Sequence, residues 1–89
     1  MKRLVEVRQL VEVELDETKF DDEFMVEFRS AFYPFVSVDD HAKHLAGLHA
    51  RGTAGNVTPF IEGYGDPKEL GIWFSLKEVE SEIIPDSEV

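Results

Sequence analysis

Three histidines within nine residues are the side chains whose spacing comes nearest to metal chemistry. His41 and His44 stand three apart, and His49 follows. On a helix, residues three apart face the same way, and a His-x-x-His pair can bind zinc. The chain has no cysteine, and no third ligand stands at a suitable spacing. We therefore expect surface or half-buried histidines that titrate near neutral pH, with no metal and no cofactor.

Nucleophilic and phosphate-binding motifs are missing from the sequence. None of the serines lies in a Gly-x-Ser-x-Gly elbow. The segment Gly63-Tyr64-Gly65 is followed by turn residues, whereas a phosphate loop leads into a helix with a Lys-Ser/Thr pair. An acid/base pair of carboxylates cannot be singled out among nineteen acidic residues. The sequence favours a protein that is not an enzyme.

The acidic residues are concentrated in two stretches. The first holds eight carboxylates and one cation, Lys19, and the second follows Lys77; the acids are Glu12, Glu14, Asp16, Glu17, Asp21, Asp22, Glu23 and Glu27, then Glu78, Glu80, Glu82, Asp86 and Glu88. On a strand, residues two apart share a face at about 6.8 Å. We therefore expect one ladder of Glu12, Glu14 and Asp16 and another of Glu78, Glu80 and Glu82.

Neighbouring ladders would form two parallel rows of negative charge. Like charges opposite one another are destabilising, so folding alone gives no reason for such rows. Together they would present a stripe comparable to the phosphates of one DNA strand, which recur every ~3.4 Å. Three interpretations stay open: a solvated face, a docking face for a basic groove, and a Ca²⁺ site, for which the usual Asp-x-Asp-x-Asp-Gly loop is missing.

The elements that position these residues can be predicted from periodicity and capping. Apolar residues alternate with charged ones over 5–15, which predicts a strand with one buried face. Asp21 is a predicted N-cap for a helix over 22–33, in which Phe24, Phe28 and Phe32 form the buried stripe and which Pro34 ends. Ser37 with Asp40 predicts a capping box for a second helix over 38–50, and Gly52 suits the position after it.

The second half of the chain predicts two strands. Residues 60–62 indicate a short strand before the turn at 63–67, and the last strand begins near Ile72. Its apolar alternation changes phase near Lys77 or Glu78, which predicts a β-bulge. The fold class is therefore α+β, in the order β-α-α-β-β, with two helices packed on one face of a small antiparallel or mixed sheet.

Length and charge set the class of partner. Eighty-nine residues without a linker-like stretch predict one domain over 1–89, and the formal charge is −10. Such a field repels nucleic acid and anionic membranes, so we expect neither as a direct partner and a basic protein surface instead. The first residues contain no long apolar run, which favours a cytoplasmic protein without a signal peptide or a membrane span.

The segments Phe20-Asp21-Asp22-Glu23-Phe24-Met25-Val26-Glu27-Phe28-Arg29 and Phe60-Ile61-Glu62-Gly63-Tyr64-Gly65 belong to a chain that resembles small acidic proteins of phages and prophages. In size and charge it is similar to anti-CRISPR proteins directed at type I effector complexes. The resemblance implies an inhibitor in the bacterial host cytoplasm that binds the basic channel or PAM-reading surface of a CRISPR complex and excludes DNA. It transfers no binding residue by position.

The resulting hypothesis is a non-enzymatic inhibitor whose acidic face competes with DNA for a basic protein surface. The alternative is a small phage accessory or regulatory homodimer, closed by the surplus of aromatic residues, with no inhibitory role. A metal-dependent enzyme is the third class. The predicted partner-binding residues are Glu12, Glu14, Asp16, Glu17, Asp21, Asp22, Glu23, Glu78, Glu80 and Glu82.

Overall fold

The structure is a computed structural model that describes residues 1–84. It is a small α+β fold in the order β-α-α-β, with strand β1 (Val5–Glu14), helix α1 (Asp22–Ala31), helix α2 (Val38–Ala50) and strand β2 (Trp73–Ile83). Asp86 and Glu88 of the second acidic stretch lie outside the described residues. Among residues 1–84, no helix is long and apolar enough to cross a membrane.

β1 and β2 pair antiparallel along their whole length and form a two-stranded ribbon. The register pairs Val5 with Ile83 at one end and Glu14 with Trp73 at the other. It shifts by one residue where Leu10 pairs with Glu78 but Val11 pairs with Leu76, which leaves Lys77 as the extra residue of a bulge. The phase change in the sequence of β2 is thereby explained, and the predicted bulge is confirmed.

Both helices begin at caps that the sequence predicted. The Asp21 carboxylate accepts a hydrogen bond from the Phe24 amide at 2.9 Å, and Ser37 and Asp40 form the capping box of α2. α2 has the predicted bounds, and Gly52 adopts a positive φ of 78° after its last turn. α1, however, ends at Ala31, two residues before the predicted end.

The core lies between the helices and the base of the ribbon. It joins Met25 and Phe28 of α1 to Leu45 of α2 and to Phe74 of β2, with Val11 and Val13 of β1 partly buried against them; the remaining core residues are Phe20, Ala54, Ile61, Tyr64 and Ile72. Both helices therefore contribute to one core on one side of the ribbon. The predicted stripe is only partly right, because Phe32 follows the end of α1 and is 44% exposed.

The predicted strand at 60–62 is wrong. Ile61 forms only an isolated bridge with Gly65 across the turn, and neither belongs to the sheet. The physical reason is local, because the Ile61 amide donates to the Gly65 carbonyl oxygen at 2.8 Å and the Gly65 amide donates to the Ile61 carbonyl oxygen at 2.9 Å. The backbone of Ile61 is thus bonded within its own turn, while the outer edge of β2 at Phe74 is bonded by the side-chain amide of Asn56.

The ribbon extends beyond the helical part of the protein. The molecule measures 51 × 24 × 20 Å, and every residue of the pairs from Val5–Ile83 to Leu10–Glu78 is exposed. We call this stretch the distal half of the ribbon. Alternation in β1 predicted that one face would be buried along its full length, but the core buries that face only from Val11 onward.

Candidate protein-binding surface

The two faces of the ribbon differ sharply in chemistry. Residues directly opposite each other in an antiparallel pair project from the same face. One face carries the odd-numbered residues of β1 with their partners on β2, and all of them are uncharged. The other, which we call the acidic face, carries six carboxylates: Glu6, Glu12, Glu14, Glu78, Glu80 and Glu82.

Every cross-strand pair on the acidic face contributes at least one carboxylate. From the tip of the ribbon to its base, the pairs are Glu6 with Glu82, Arg8 with Glu80, Leu10 with Glu78, Glu12 with Ser75 and Glu14 with Trp73. Two cations lie among them, since the Arg8 Nε is 2.6 Å from Glu6 Oε1 and the Lys77 Nζ is 3.7 Å from Glu12 Oε2. Both ion pairs are exposed and contribute little to stability.

The two predicted ladders share this face but do not lie side by side. Glu12 and Glu14 occupy the base of the ribbon, and Glu78, Glu80 and Glu82 occupy its distal half. The expectation of two parallel rows is therefore wrong. One carboxylate every ~6.8 Å is about half the density of phosphates along one DNA strand. Only the pair of Glu6 and Glu82 sets two like charges opposite each other.

Two of the predicted binding residues have a local structural role. Asp16 does not continue the ladder, because it follows β1 and caps a short 3-10 helix over Glu17–Lys19. Its Oδ1 accepts hydrogen bonds from the Thr18 hydroxyl at 2.6 Å and from the Thr18 amide at 3.0 Å, which lower the pKa of Asp16. Asp21 likewise caps α1.

The remaining predicted acids are divided between two places. Glu17 lines a shallow depression of about 300 Å³ together with Glu14 and with Asp39 at the start of α2. Asp22 and Glu23 are exposed in the first turn of α1, where the helix dipole favours them, and they are not on the ribbon. The predicted group therefore does not form one surface.

Sequence reasoning missed Glu6 and Asp39. Glu6 is the first charged residue in the same alternation that contains Glu12 and Glu14, so the period of two was sufficient to find it. Asp39 lies in a separate helix, and its proximity to Glu14 and Glu17 depends on how α2 packs beside β1. No sequence signal indicated that contact.

Two large apolar side chains lie among the carboxylates. Leu10 is 60% exposed and Trp73 is 52% exposed, and both project from the acidic face. Trp73 is the only tryptophan in the chain. Tryptophan is enriched among the residues that contribute most to protein–protein affinity, usually inside a ring of weaker polar contacts. The acidic face thus combines six carboxylates with two exposed apolar side chains.

The histidine predicted to lie at or near the surface is in the core. His41 is fully buried among the rings of Phe20, Phe24, Phe28 and Phe35, and its Nδ1 is 2.8 Å from the Tyr64 hydroxyl. Burial lowers the pKa of His41, while the neighbouring Asp40 opposes this, and burial raises the pKa of Tyr64. The pair is a neutral hydrogen bond inside an aromatic core.

Among residues 1–84, the ring of His41 makes its hydrogen bond through Nδ1 to the Tyr64 hydroxyl, while Nε2 is buried without a hydrogen-bond partner. In the tautomer in which the Tyr64 hydroxyl donates, Nδ1 accepts and the hydrogen lies on Nε2. The ring of Phe28 meets the imidazole at 77° with centroids 4.6 Å apart, and Phe35 meets it at 88°. Such angles are those of edge-to-face packing between rings. His41 is therefore part of the aromatic core.

His44 contacts the same Phe35 and Tyr64 rings as His41 but is only partly buried. It lines an open cavity of about 320 Å³ with Tyr33, Arg51 and Phe60, and burial followed by the charge of Arg51 lowers the pKa of His44. Within residues 1–84, no group of three His, Asp or Glu side chains is placed to hold a metal ion. His49 stacks on Phe74, and its Nδ1 is 2.9 Å from the Ala54 carbonyl oxygen.

Comparisons with protein-family models, with curated proteins and with solved structures find no match to this chain. The ribbon is therefore the feature of the molecule that bears most directly on function.

Proposed function

We propose that this chain is a non-enzymatic binding protein that docks the acidic face of its ribbon on a basic protein surface. The observation that supports this most directly is the coincidence, on one exposed ribbon face, of five successive carboxylate-bearing pairs with the exposed side chain of Trp73. Carboxylates arranged in this way accelerate encounter with a basic surface, and the exposed aromatic side chain at the base of the ribbon provides affinity after contact.

The shape of the ribbon supports insertion into a groove. The five pairs of the acidic face follow one another at intervals of two residues along β1. At about 3.4 Å per residue they span roughly 27 Å, on a ribbon only two strands wide. A basic groove that normally holds nucleic acid offers both the length and the charge for such a ribbon. Because the carboxylate spacing is sparser than that of phosphates, the proposal is electrostatic competition with nucleic acid and not a copy of its charge pattern.

The resemblance to anti-CRISPR proteins suggests a specific partner. We propose a type I CRISPR effector complex in the cytoplasm of a bacterial host, bound at its basic DNA channel so that target DNA is excluded. This identity depends on size and charge and on no motif, and it is therefore tested separately from the acidic face.

The experiment measures binding to an immobilised type I effector complex and the displacement of labelled target DNA. The variant Glu14→Lys with Glu80→Lys alters the base and the distal half of the acidic face. Its matched control is Glu27→Lys with Glu69→Lys, which makes the same change in net charge at exposed sites off the ribbon. We expect the first to lose binding by tenfold or more, about 1.4 kcal/mol, and the second to retain it.

Each negative result has its own meaning. No binding of the wild type to type I complexes would reject that partner. Equal weakening by the two double variants would reject the acidic face, since only net charge would then matter. Trp73→Ala distinguishes the contribution of the carboxylates to association from the contribution of Trp73 to the lifetime of the complex. It should raise the dissociation rate while the salt dependence of the association rate stays unchanged.

A small accessory or regulatory homodimer without an inhibitory role is the second candidate. The aromatic surplus that first suggested it gives limited support, because Phe20, Phe28 and Tyr64 are buried in the chain's own core. A different observation favours self-association: the uncharged face of the ribbon remains open in its distal half.

A further inference from the structure

The distal half of the ribbon exposes an apolar surface on the side opposite the acidic face. We call it the distal apolar face; it consists of Val5, Val7, Gln9, Val79, Ser81 and Ile83. Its four aliphatic side chains are between 51% and 59% exposed, and none of its six residues is charged. It continues directly from Val11 and Val13, which the core covers at the base of the ribbon.

A ribbon of two strands is marginal in water unless a third strand or another layer packs on its apolar face. Within residues 1–84 the distal half has neither, since the sheet has two strands and the core ends at Val11. We propose that a second copy of this chain covers the distal apolar face, with the two ribbons stacked apolar face to apolar face. This inference is independent of the proposed inhibitory function.

The distribution of charge favours a second copy as the occupant. A basic partner finds no counter-charge on the distal apolar face, whereas an identical face is uncharged and equally apolar. Stacked sheets lie about 10 Å apart, so the two acidic faces would point outward in opposite directions. Pairing through the outer edges of β2 would instead bring together Glu78, Glu80 and Glu82 of both copies, which like-charge repulsion opposes.

Pairing through the outer edges of β1 would form a four-stranded sheet but leave the apolar side chains in water. Stacking is the arrangement that removes these side chains from water and keeps the carboxylates apart. Its contact is small, because five residues on two strands cover roughly 17 Å by 10 Å. That is well below the ~800 Å² that each partner contributes to a standard interface. We therefore expect a weak dimer, which has to be sought at high protein concentration.

Sedimentation equilibrium between about 10 µM and 1 mM tests this inference. The wild type should move from monomer toward dimer as concentration rises. Val7→Lys should raise the dissociation constant tenfold or more, about 1.4 kcal/mol, because stacking would bury an unpaired charge. The control is Leu10→Lys, which adds the same charge to a side chain of similar exposure on the opposite face. It should leave the dissociation constant within about threefold.

Circular dichroism and unfolding midpoints establish that each variant is folded. If Val7→Lys unfolds the ribbon, Val79→Thr serves as the test variant instead. Threonine has nearly the shape of valine and suits a strand, but it places a hydroxyl in the stacked interface. It should weaken the dimer in the same direction by a smaller factor.

Three results would overturn the inference. The first is a wild type that stays monomeric up to about 1 mM, and the second is equal weakening by Val7→Lys and Leu10→Lys. The third is protection of the Val5, Val7 and Gln9 amides from exchange when the dimer forms. Leu4 accepts a hydrogen bond from the Ile84 amide, so the even-numbered residues of this half of β1 form the hydrogen bonds to β2. The amides of the odd-numbered residues between them therefore point away from β2. Their protection would show pairing through the β1 edge instead of stacking.

Discussion

The side-chain amide of Asn56 makes the same two hydrogen bonds to Phe74 that a neighbouring strand would make. Its Nδ2 donates to the Phe74 carbonyl oxygen at 2.9 Å, and its Oδ1 accepts from the Phe74 amide at 2.8 Å. Phe74 is buried, and its backbone would otherwise present an unpaired donor and acceptor at the edge of β2. The loop after α2 is thereby joined to the base of the ribbon.

Replacing Asn56 with Ala should destabilise the protein by about 1–3 kcal/mol, because both backbone groups of Phe74 lose their partners in a part-buried site. Urea unfolding followed by tryptophan fluorescence measures the change. Val57→Ala is the matched control in the same loop, since Val57 is 96% exposed. A loss for Asn56→Ala no larger than for Val57→Ala would show that water replaces the amide without cost.

Asp21→Ala should cost about 0.5–2 kcal/mol, because it removes the acceptor that caps α1. Glu27→Ala removes an exposed carboxylate from the same helix away from its start and should stay within about 0.5 kcal/mol. Thermal and urea unfolding of the two variants measure the difference. Equal effects would mean that Asp21 acts through its charge alone.

Alanine substitutions at two glycines with positive φ, Gly65 and Gly71, distinguish the cost of a strained backbone from the cost of a steric clash. Gly65 has open space where a Cβ would lie, so Gly65→Ala should cost only the left-handed conformation, about 1–2 kcal/mol. At Gly71 a Cβ would approach the Asp16 Cβ to 2.9 Å and the Asp16 amide nitrogen to 3.2 Å. Gly71→Ala should therefore cost about 1–3 kcal/mol more than Gly65→Ala, measured by urea unfolding. Equal costs would mean that the chain after β1 moves aside freely.

Acidification should destabilise the fold below about pH 6.5. Burial lowers the pKa of both His41 and His44 in the folded state, so the unfolded chain binds more protons in the window below that value. The free energy of unfolding should therefore be lower at about pH 5.5 than at about pH 7.5. Asp16 and Asp40, whose pKa values are lowered by hydrogen bonds, remain ionised across this range and do not contribute.

Urea unfolding at the two pH values measures this dependence, and NMR titration of the imidazole protons identifies the residues responsible. His41 should titrate below its ordinary value of 6.5. If the protein were equally stable at both pH values and His41 titrated normally, the neutral hydrogen bond to Tyr64 would be wrong.

Local signals in the sequence predicted most of the fold. Period-two alternation identified β1, side-chain caps at Asp21 and Ser37 set the starts of both helices, and a change of phase placed the bulge near Lys77 or Glu78. These features depend on residues close together in the chain. The strand at 60–62 failed because the backbone of Ile61 bonds to Gly65 within one turn, and the edge of β2 at Phe74 is bonded by Asn56, a contact between residues 18 apart in the sequence.

The site was harder to predict because it depends on which residues face each other across the ribbon. The ladders were recognised, but their stagger follows from the register, which sequence alone did not supply. His41 offered a signal that was overlooked. It falls in the helical series Val38, His41, Leu45 and Leu48, which is the inner stripe of α2 and identifies His41 as a core position.

The bulge at Lys77 lets each face of the ribbon keep its chemistry from base to tip, although the apolar alternation of β2 changes phase there. Lys77 is the one residue that separates the alternation before it from the alternation after it. Deleting it would join the two alternations without a break, because Leu10 would still pair with Glu78 and Val11 with Leu76. Glu78, Glu80 and Glu82 would stay on the acidic face, and Val79 and Ile83 would stay on the distal apolar face. The deletion would remove only the local bend and the extra twist that a bulge gives a strand. The bulge is thus an insertion that the ribbon absorbs at one point, so that it alters the course of β2 and not the chemistry of its faces.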